Sequence, residues 1–323
     1  MSLGPSRLQF GYSGQHIAST QTVALSFSPP AAIHWTASSN QSNITVSPAS
    51  GSGSAVLQIN ASPGPSGTIT VTAIGGTNAP QQIQVNVAGV VAAKPFGSFD
   101  TPGNNTTGIA GAIPVTGWAL DNVEASTVGI WREPAPNEAA SPNGLVFIGN
   151  AVFVAGARPD VQAAYPNLPF NYRAGWGYML LTNLLVNSNG SGPLGNGTYK
   201  LHALVTNQIG QIVDLGAHTI TVDNAHASKP FGTIDTPAQG STVSGNAYVN
   251  FGWALTQNPY VIPKDGSTIN VFVDGAPIGH PLYNQFRSDI ASLFPSLANS
   301  NGAVGLFSID TTALANGIHT IAW

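Results

Sequence analysis

The chain has 323 residues, of which 42% are hydrophobic and only 7% are charged, and its formal net charge is -4. This length predicts two or three domains of roughly 100 residues each, because one hydrophobic core seldom organises more. The composition excludes a basic surface for a nucleic acid, a run of roughly 18 apolar residues for membrane insertion, and any cysteine for a disulfide or a thiolate site.

The N-terminal residues do not encode an export signal. Residues 1–5 read MSLGP, without a basic or an apolar region, and we interpret them as a leader that was added for expression. Residues 6–89 are predicted to form a first domain whose only charged side chain is Arg7. Its segments Thr68–Ala73 and Ile83–Val87 alternate apolar and polar residues, which predicts half-buried antiparallel strands.

Three segments of this first domain carry a recognisable pattern. Residues Trp35–Ser38 read WTAS, residues Ile44–Ser54 read ITVSPASGSGS, and the alternating segment Thr68–Ala73 follows them. In these segments the domain resembles the BACON domain. That family is an immunoglobulin-like β-sandwich that is often found beside carbohydrate-active modules, so the resemblance implies this fold and this kind of neighbour.

The rest of the chain is an internal repeat. Residues Lys94–Pro102 read KPFGSFDTP and residues Lys229–Pro237 read KPFGTIDTP, and the tetrapeptide GWAL occurs at 117–120 and again at 252–255. Both pairs are displaced by the same 135 positions. Two matches at one displacement predict two copies of one folding unit, repeat 1 over 94–224 and repeat 2 over 229–323.

Further correspondences define where the copies differ. Residues Arg158–Pro166 match Arg287–Pro295, and Asn196–Tyr199 match Asn316–His319, at smaller displacements. Repeat 1 therefore carries insertions, chiefly over 133–144 and 187–195. Because repeat 2 stops at Trp323, we expect it to be truncated and to lack its last strand or strands. Its open edge would then allow edge-strand self-association.

Turn signals set the fold class. The dipeptide Asn-Gly occurs at 143, 189, 196, 301 and 316, and Asp-Gly occurs at 265 and 274. Both favour the positive φ angles of tight hairpins, and no long helical periodicity is present. The sequence therefore predicts an all-β protein of three tandem immunoglobulin-like β-sandwiches, the last one truncated.

The repeats also show a family pattern of their own. Besides GWAL and the Arg-x-Asp segment, Val273–Gly279 fit VDGxxIG and Asn316–Ile321 fit NGxHTI. These motifs resemble the bacterial immunoglobulin-like repeats of large exported proteins, which implies a secreted or cell-surface location. Repeat 1 departs from the pattern, because Trp131–Asn137 read WREPAPN in place of the VDG turn.

Six residues are predicted to have structural roles. Trp118 and Trp253, in the two GWAL strands, would fill the gap between two sheets. The recurring pairs Arg158/Asp160 and Arg287/Asp289 allow a functional interpretation, but we favour a structural one. The arginine would donate hydrogen bonds to loop carbonyls while the aspartate caps the short helical turn that follows.

Four aromatic residues of repeat 1 form the candidate ligand-binding group: Trp131, Tyr172, Trp176 and Tyr178. Exposed aromatic rings stack on sugar faces while neighbouring polar groups bond the hydroxyls, so this group predicts a glycan site. The alternative is that the four rings pack beneath the insertion as a small core.

No catalytic or metal site is predicted. The chain has no GxSxG motif, its only glutamates are Glu124, Glu133 and Glu138, and its seven histidines lack ligand spacing. We therefore expect no enzyme activity, no cofactor and no metal. The preferred hypothesis is a structural or adhesive array of a secreted or cell-surface bacterial protein, with glycans or other surface proteins as partners. The alternative is a carbohydrate-binding accessory module of a glycan-active protein.

Overall fold

A computed structural model describes residues 1–28, 32–75, 78–192, 194–315 and 317–323. Strands are the dominant element, with 48% of the residues against 9% in helices. They pair into mainly antiparallel sheets, with parallel pairs only at β2–β10 (Arg7–Ser13 with Gln81–Gly89) and β12–β18 (Thr106–Ile109 with Ile212–Val222) among the described residues. The predicted all-β, immunoglobulin-like sandwich class is confirmed. Among the described residues, no helix has the length and apolar character needed to cross a membrane.

The first domain is a sandwich of a four-stranded and a six-stranded sheet. The four-stranded sheet has the order β1-β4-β8-β6 and the other has the order β3-β2-β10-β9-β5-β7. Strands β9 and β10 contain the two segments that alternation predicted. The strands are β1 (Ser2–Gly4), β2 (Arg7–Ser13), β3 (His16–Ile17), β4 (Gln21–Ser26), β5 (His34–Ser39), β6 (Ile44–Ser47), β7 (Ser50–Ser52), β8 (Ala55–Ala61), β9 (Gly67–Ala73) and β10 (Gln81–Gly89).

Repeat 1 forms a continuous eight-stranded sheet folded around one core. Its order is β11-β13-β16-β15-β14-β17-β18-β12, and β15 joins the two layers because it pairs with both β14 and β16. The elements are β11 (Phe96–Thr101), β12 (Thr106–Ile109), β13 (Ala112–Leu120), β14 (Ala125–Arg132), β15 (Val146–Phe153), α1 (Pro159–Ala164), β16 (Gly175–Leu181), β17 (Gly197–Asn207) and β18 (Ile212–Val222).

Repeat 2 follows the same plan in two separate sheets, β19-β20-β24-β23 and β22-β21-β25. The strand that corresponds to β15 is divided at His280–Pro281 into β22 and β23. The Asn-Gly turn predicted at 316 involves a residue outside the described ranges. The elements are β19 (Phe231–Thr236), β20 (Tyr248–Leu255), β21 (Val271–Val273), β22 (Ala276–Gly279), β23 (Leu282–Gln285), α2 (Ser288–Leu293), β24 (Val304–Ile309) and β25 (Ile321–Ala322).

The glycines of the repeated motifs let the KPFG strand and the GWAL strand of each repeat approach closely. Gly97 of KPFG and Gly117 of GWAL lie on the paired strands β11 and β13. A Cβ at Gly97 would overlap the carbonyl oxygen of Trp118, and one at Gly117 would overlap that of Ser98. Only glycine fits such a contact, and the same overlaps recur at the repeat 2 counterparts, Gly232 and Gly252.

The first domain and repeat 1 are in direct contact. Phe170, in the segment after α1, is 6% exposed and packs into the core of the first domain. Beside it, the Glu124 carboxylate accepts hydrogen bonds from the Ser19 backbone N–H (2.8 Å) and the Arg173 guanidinium (3.2 Å). The Arg173 guanidinium carbon lies 3.9 Å from the centroid of the Phe170 ring. An apolar anchor and a shared carboxylate therefore join the two domains.

The linker between these domains is fixed to repeat 1 by two asparagines. The Asn122 side-chain amide donates to the carbonyl oxygen of Val91 at 2.6 Å. The Asn207 amide donates to the carbonyl oxygen of Ala93 at 3.2 Å. Residues of the linker thus have defined partners on the domain that follows it.

Asn224 fixes the C-terminal end of repeat 1, and Leu181 makes the contact with repeat 2. Asn224 is fully buried, and its side-chain oxygen accepts hydrogen bonds from the Gly111 N–H (2.9 Å) and the Thr182 hydroxyl (3.0 Å). Its side-chain nitrogen donates to the carbonyl oxygen of Leu194 at 2.6 Å. Leu181, at the end of β16, packs into the core cluster of repeat 2. The second junction is therefore as well defined as the first.

Candidate functional site

The four aromatic residues predicted to form one binding group lie in different parts of the molecule. Trp176 is only 2% exposed and packs in the core of repeat 1. Tyr178 is half-buried, with its ring over Gly149, and Tyr172 packs against the core of the first domain. The prediction of a joint binding surface is wrong, because alternation along β16 directs Trp176 inward and Tyr172 belongs to an interdomain contact.

Burial also marks Tyr172 and Tyr178 as structural. Desolvation raises the pKa of both phenols above the ordinary value of about 10. The Arg173 guanidinium offsets part of this effect at Tyr172, because its positive charge lowers the pKa. The two phenols stay neutral and occupy packed positions, so neither is available as a platform for a sugar.

Trp131 alone among the four lies on an open surface. It lines a groove of about 340 Å³ on the outer face of the sheet formed by β15, β14, β17 and β18. The ring of Phe147, which is 46% exposed, meets the Trp131 ring edge to face with centroids 4.9 Å apart. Gly129 lies beside them, where a Cβ would come within 2.5 Å of the indole nitrogen. The missing side chain keeps the floor of the groove at backbone level.

Polar but uncharged side chains complete this groove, which we call the Trp131 groove. Thr127 and Thr206 project from β14 and β17, Asn150 from β15, and Ser141 and Asn143 from the insertion. In the described part of the chain, the side chains of Thr127, Ser141, Asn150 and Thr206 make no hydrogen bond to protein. Their donors and acceptors are therefore free to bind a ligand.

The insertion that supplies Ser141 and Asn143 is held by a partly buried ion pair. Arg132 lies at the end of β14 and is 3% exposed. Its guanidinium donates to the Glu138 carboxylate at 2.6 Å. Glu138 also accepts from the Ala135 N–H at 2.9 Å. The hydrogen bond from Arg132 lowers the pKa of Glu138 below its usual value. One wall of the Trp131 groove is therefore fixed by a charge pair.

Repeat 2 keeps a smaller ring at the Trp131 position and lacks the ring at the Phe147 position. Strand pairing with the same bulge places Phe272 opposite Pro277, where repeat 1 has Trp131 opposite Phe147. A short turn at Asp274–Gly275 replaces the insertion. The groove is therefore a property of repeat 1 and not of the repeated fold.

Trp118 and Trp253 are packed, but not between the two sheets as expected. In β13 the residues Val115 and Ala119 face the sandwich core, so Trp118 projects from the opposite face and packs against Val161 of α1. It forms a three-ring cluster with Phe96 and Tyr165, with centroids 5.3 to 5.7 Å apart. The counterparts in repeat 2 are Trp253, Phe231 and Phe294, with centroids 5.3 to 5.9 Å apart.

The Arg-x-Asp pairs make ionic contacts instead of the expected bonds to loop carbonyls. Arg158 donates to both carboxylate oxygens of Asp160 at 2.9 and 2.7 Å and to Asp100 at 2.6 Å. We call this set an arginine clasp, because it ties the helical turn to the KPFGSFDTP motif. The clasp of repeat 2 joins Arg287 to Asp289 and Asp235.

The aspartates of the clasps do not cap their helices in the way predicted. The N-cap residues are the arginines themselves, Arg158 and Arg287, and neither makes a side-chain capping bond. In repeat 2 the Asp289 carboxylate does accept the N–H of Ile290 at 2.9 Å, inside the first turn. The hydrogen bond from Arg158 lowers the pKa of Asp160 to about 2, and Arg287 lowers the pKa of Asp289 in the same way.

Two histidines outside these clasps bond aspartates. His202 bonds Asp214 at 2.7 Å and His319 bonds Asp274 at 2.6 Å. Within the described ranges, no group of three or more histidine or acidic side chains could hold a metal ion. Three residues with defined roles were not identified from the sequence, namely Phe147, Asn150 and the interdomain Phe170. For the first two, the only available signal was a weak alternation of apolar and polar residues over 146–153.

Comparison with known proteins gives no family, since no family model and no curated protein matches the chain. Among solved structures it is similar to fibronectin(III)-like modules of Clostridium thermocellum CbhA, with 11% identity, 71% of this chain and 96% of that chain covered, and a TM-score of 0.26. It is also similar to a chimeric titin Z1Z2, with 13% identity, 69% of this chain and 96% of that chain covered, and a TM-score of 0.28. A third similar structure is the Ig1-2 module of the Drosophila receptor phosphatase DLAR, with 12% identity, 69% of this chain and 98% of that chain covered, and a TM-score of 0.22.

TM-scores at this level carry no argument about the chain, and the fold is assigned from its own strand pairing. The resemblance of the first domain to BACON stays a prediction.

Proposed function

We propose that this chain is a non-catalytic structural or adhesive array of a secreted or cell-surface bacterial protein. Its sandwiches would hold other domains or surface partners at a fixed spacing. The observation that carries the proposal is the pair of direct junctions, at which Phe170 of repeat 1 enters the core of the first domain and Leu181 of repeat 1 enters the core cluster of repeat 2. Flexible strings of domains lack such contacts, so these junctions support a rigid rod.

Small-angle scattering of the intact chain tests the rod. We expect one arrangement of the three sandwiches to fit the profile, and we expect Phe170→Asp to increase the radius of gyration, because a carboxylate is costly in an apolar core. Phe286→Asp is the matched control, since Phe286 of repeat 2 is exposed. Near-ultraviolet circular dichroism checks that both variants stay folded. A wild-type profile that requires independently tumbling domains would overturn the proposal.

A second candidate function is carbohydrate binding, as in an accessory module of a glycan-active protein. One observation favours it, namely the Trp131 groove with its half-buried Trp131 ring, its exposed Phe147 ring and its free polar side chains. A glycan array probed with the intact chain tests this function. Saturable binding to any plant, fungal or bacterial glycan supports this function. If no glycan binds, only the structural or adhesive function is left.

A further inference from the structure

The Trp131 groove has the dimensions of a small-molecule site. Its volume of about 340 Å³ falls in the range of roughly 300–1,000 Å³ that is usual for ligand pockets. The groove is partly open to solvent. The position on the outer face of β14 and β17, whose inward residues Ile130 and Ala203 are fully buried, gives it a rigid floor.

The chemistry of the lining selects the class of ligand. An indole and a phenyl ring set at 61° to each other form a corner that fits the apolar face of a pyranose ring. Threonine hydroxyls and the Asn150 amide surround this corner, and they match sugar hydroxyls, which both donate and accept hydrogen bonds. No charged side chain is among the described residues that line the groove.

The charges beside the groove disfavour acidic ligands. Glu133 follows the end of β14 and is half exposed, and Asp214 lies on β18 next to Ile212, which lines the groove. The Lys200 ammonium group already contacts the Glu133 carboxylate at 2.9 Å, and the His202 ring bonds Asp214. A uronic acid, a sialic acid or an acidic peptide would meet these acids without a free cation to bind it.

We propose that the Trp131 groove binds a neutral oligosaccharide, with Trp131 stacked on one pyranose ring, Phe147 as the side wall, and Asn150 with Thr127 bonded to hydroxyls. This inference rests on the second candidate function and names its site and ligand class. Repeat 2 lacks the insertion that supplies Ser141 and Asn143, and it has Phe272 and Pro277 in place of Trp131 and Phe147, which explains why repeat 1 alone would bind. A peptide or protein ligand is the competing occupant. It is disfavoured because the groove offers no charge and no unpaired strand edge.

The test is calorimetric titration of the intact chain with five neutral hexasaccharides: cellohexaose, xylohexaose, mannohexaose, laminarihexaose and maltohexaose. Hexagalacturonate serves as the charged comparison. We expect at least one neutral ligand to bind and hexagalacturonate to bind more weakly. Trp131→Ala should raise the Kd by about tenfold or more, as loss of an aromatic anchor usually does. Asn150→Ala should raise it a few fold.

Two further variants keep the test independent of folding. Thr127→Arg adds a long side chain at an exposed position, so it should block the groove without removing any packing. Phe272→Ala changes the equivalent position of repeat 2 and should leave the Kd unchanged. Thermal unfolding of each variant shows whether a loss of binding is a loss of fold.

The outcomes separate the site from the function. Failure of all five neutral ligands to bind would overturn the proposal. Binding that survives both Trp131→Ala and Thr127→Arg would overturn the site while the carbohydrate function stands. Preference for hexagalacturonate would overturn the ligand class. Binding of a peptide library that Thr127→Arg abolishes, without any sugar binding, would assign the groove to the competing occupant.

Discussion

Each repeat fills the interior of its sandwich with one large tryptophan ring, but the ring comes from opposite sheets in the two repeats. Strand pairing aligns Trp176 of β16 with Gly305 of β24, because Trp118 is opposite Gly175 in one repeat and Trp253 is opposite Val304 in the other. In repeat 2 the large ring comes from Trp323, which lies over Gly305 and donates to the Asn250 side chain at 2.8 Å.

The facing strand shows the reverse exchange. Counting from the matched segments at 196–199 and 316–319, Trp323 corresponds to Ala203, which is fully buried in β17. A large residue and a small one have therefore traded places across the sandwich. The exchange teaches that each repeat conserves the volume of its core and not the identity of its residues, as close packing requires.

The outer faces have diverged without such compensation. Trp131 and Phe147 in repeat 1 stand where repeat 2 has Phe272 and Pro277, and only repeat 1 has the insertion over 133–144. No packing rule demands this difference, since the side chains project away from the core. A binding surface would show such differences between the repeats, because packing does not require them. The core residues are therefore constrained by volume, whereas the groove residues are not.

The largest effect is expected where the comparison concerns the core. Trp176→Gly should destabilise repeat 1 by roughly 3–5 kcal/mol, since it removes a buried ring and leaves a cavity. Adding Ala203→Trp should restore part of this loss, because it supplies the ring from the strand that carries Trp323 in repeat 2. Hydrogen exchange of the β16 and β17 amides measures the stability of repeat 1 separately from that of the other domains.

The control for this exchange is Ala203→Trp alone. It should destabilise repeat 1 by about 1–3 kcal/mol or more through overpacking, so the two changes together should cost less than their sum. If the double variant is no more stable than Trp176→Gly, then the two interiors are not interchangeable and the comparison fails.

Much of the fold was predictable because its signals are local or repeated. Alternation identified the segments of β9 and β10, and two motif matches at one displacement identified the repeats. The facing of Trp118 was not predictable, because GWAL is apolar on both faces of β13 and alternation does not say which face meets the second sheet. Trp118 instead packs under α1, on a face that also becomes buried.

The candidate site was predicted only in part, for a related reason. Trp131 was identified, but proximity in sequence grouped it with Trp176 and Tyr178, which lie on β16 and pack inward or over Gly149. Phe147 reaches Trp131 through strand pairing across a 13-residue connection that includes the insertion. Contacts between domains, such as that of Phe170, leave no periodic signal at all.

A smaller effect is expected where the two repeats are alike. Asp100→Asn and Asp235→Asn each remove one carboxylate from an arginine clasp and should destabilise their repeats by a similar amount, about 0.5 kcal/mol. The value is small because the pairs are about one-third exposed and such ion pairs usually contribute roughly 0.2–1 kcal/mol. Chemical denaturation followed by hydrogen exchange measures both. Opposite signs in the two repeats would show that the clasps are not equivalent.

The smallest expected effect is a pH dependence of the stability of repeat 2. His319 of repeat 2 matches Tyr199 of repeat 1. The Asp274 carboxylate bonds His319 and raises its pKa above the ordinary 6.5, whereas burial raises the pKa of Tyr199 to about 12. A raised pKa means that the contribution of His319 to stability is fully present below pH 6.5 and is lost as the pH rises through the folded-state pKa. Repeat 2 should therefore weaken slightly above neutral pH through a residue that has no histidine counterpart in repeat 1.

Proton NMR titration of the His319 ring checks this difference directly. Asp274→Asn should return the pKa of His319 towards 6.5, since the hydrogen bond to the carboxylate is the largest cause of the shift. The same substitution should flatten the pH dependence of amide exchange in β21 and β25, the strands on either side of the pair. An unchanged pKa in the variant would mean that the pair does not form in solution.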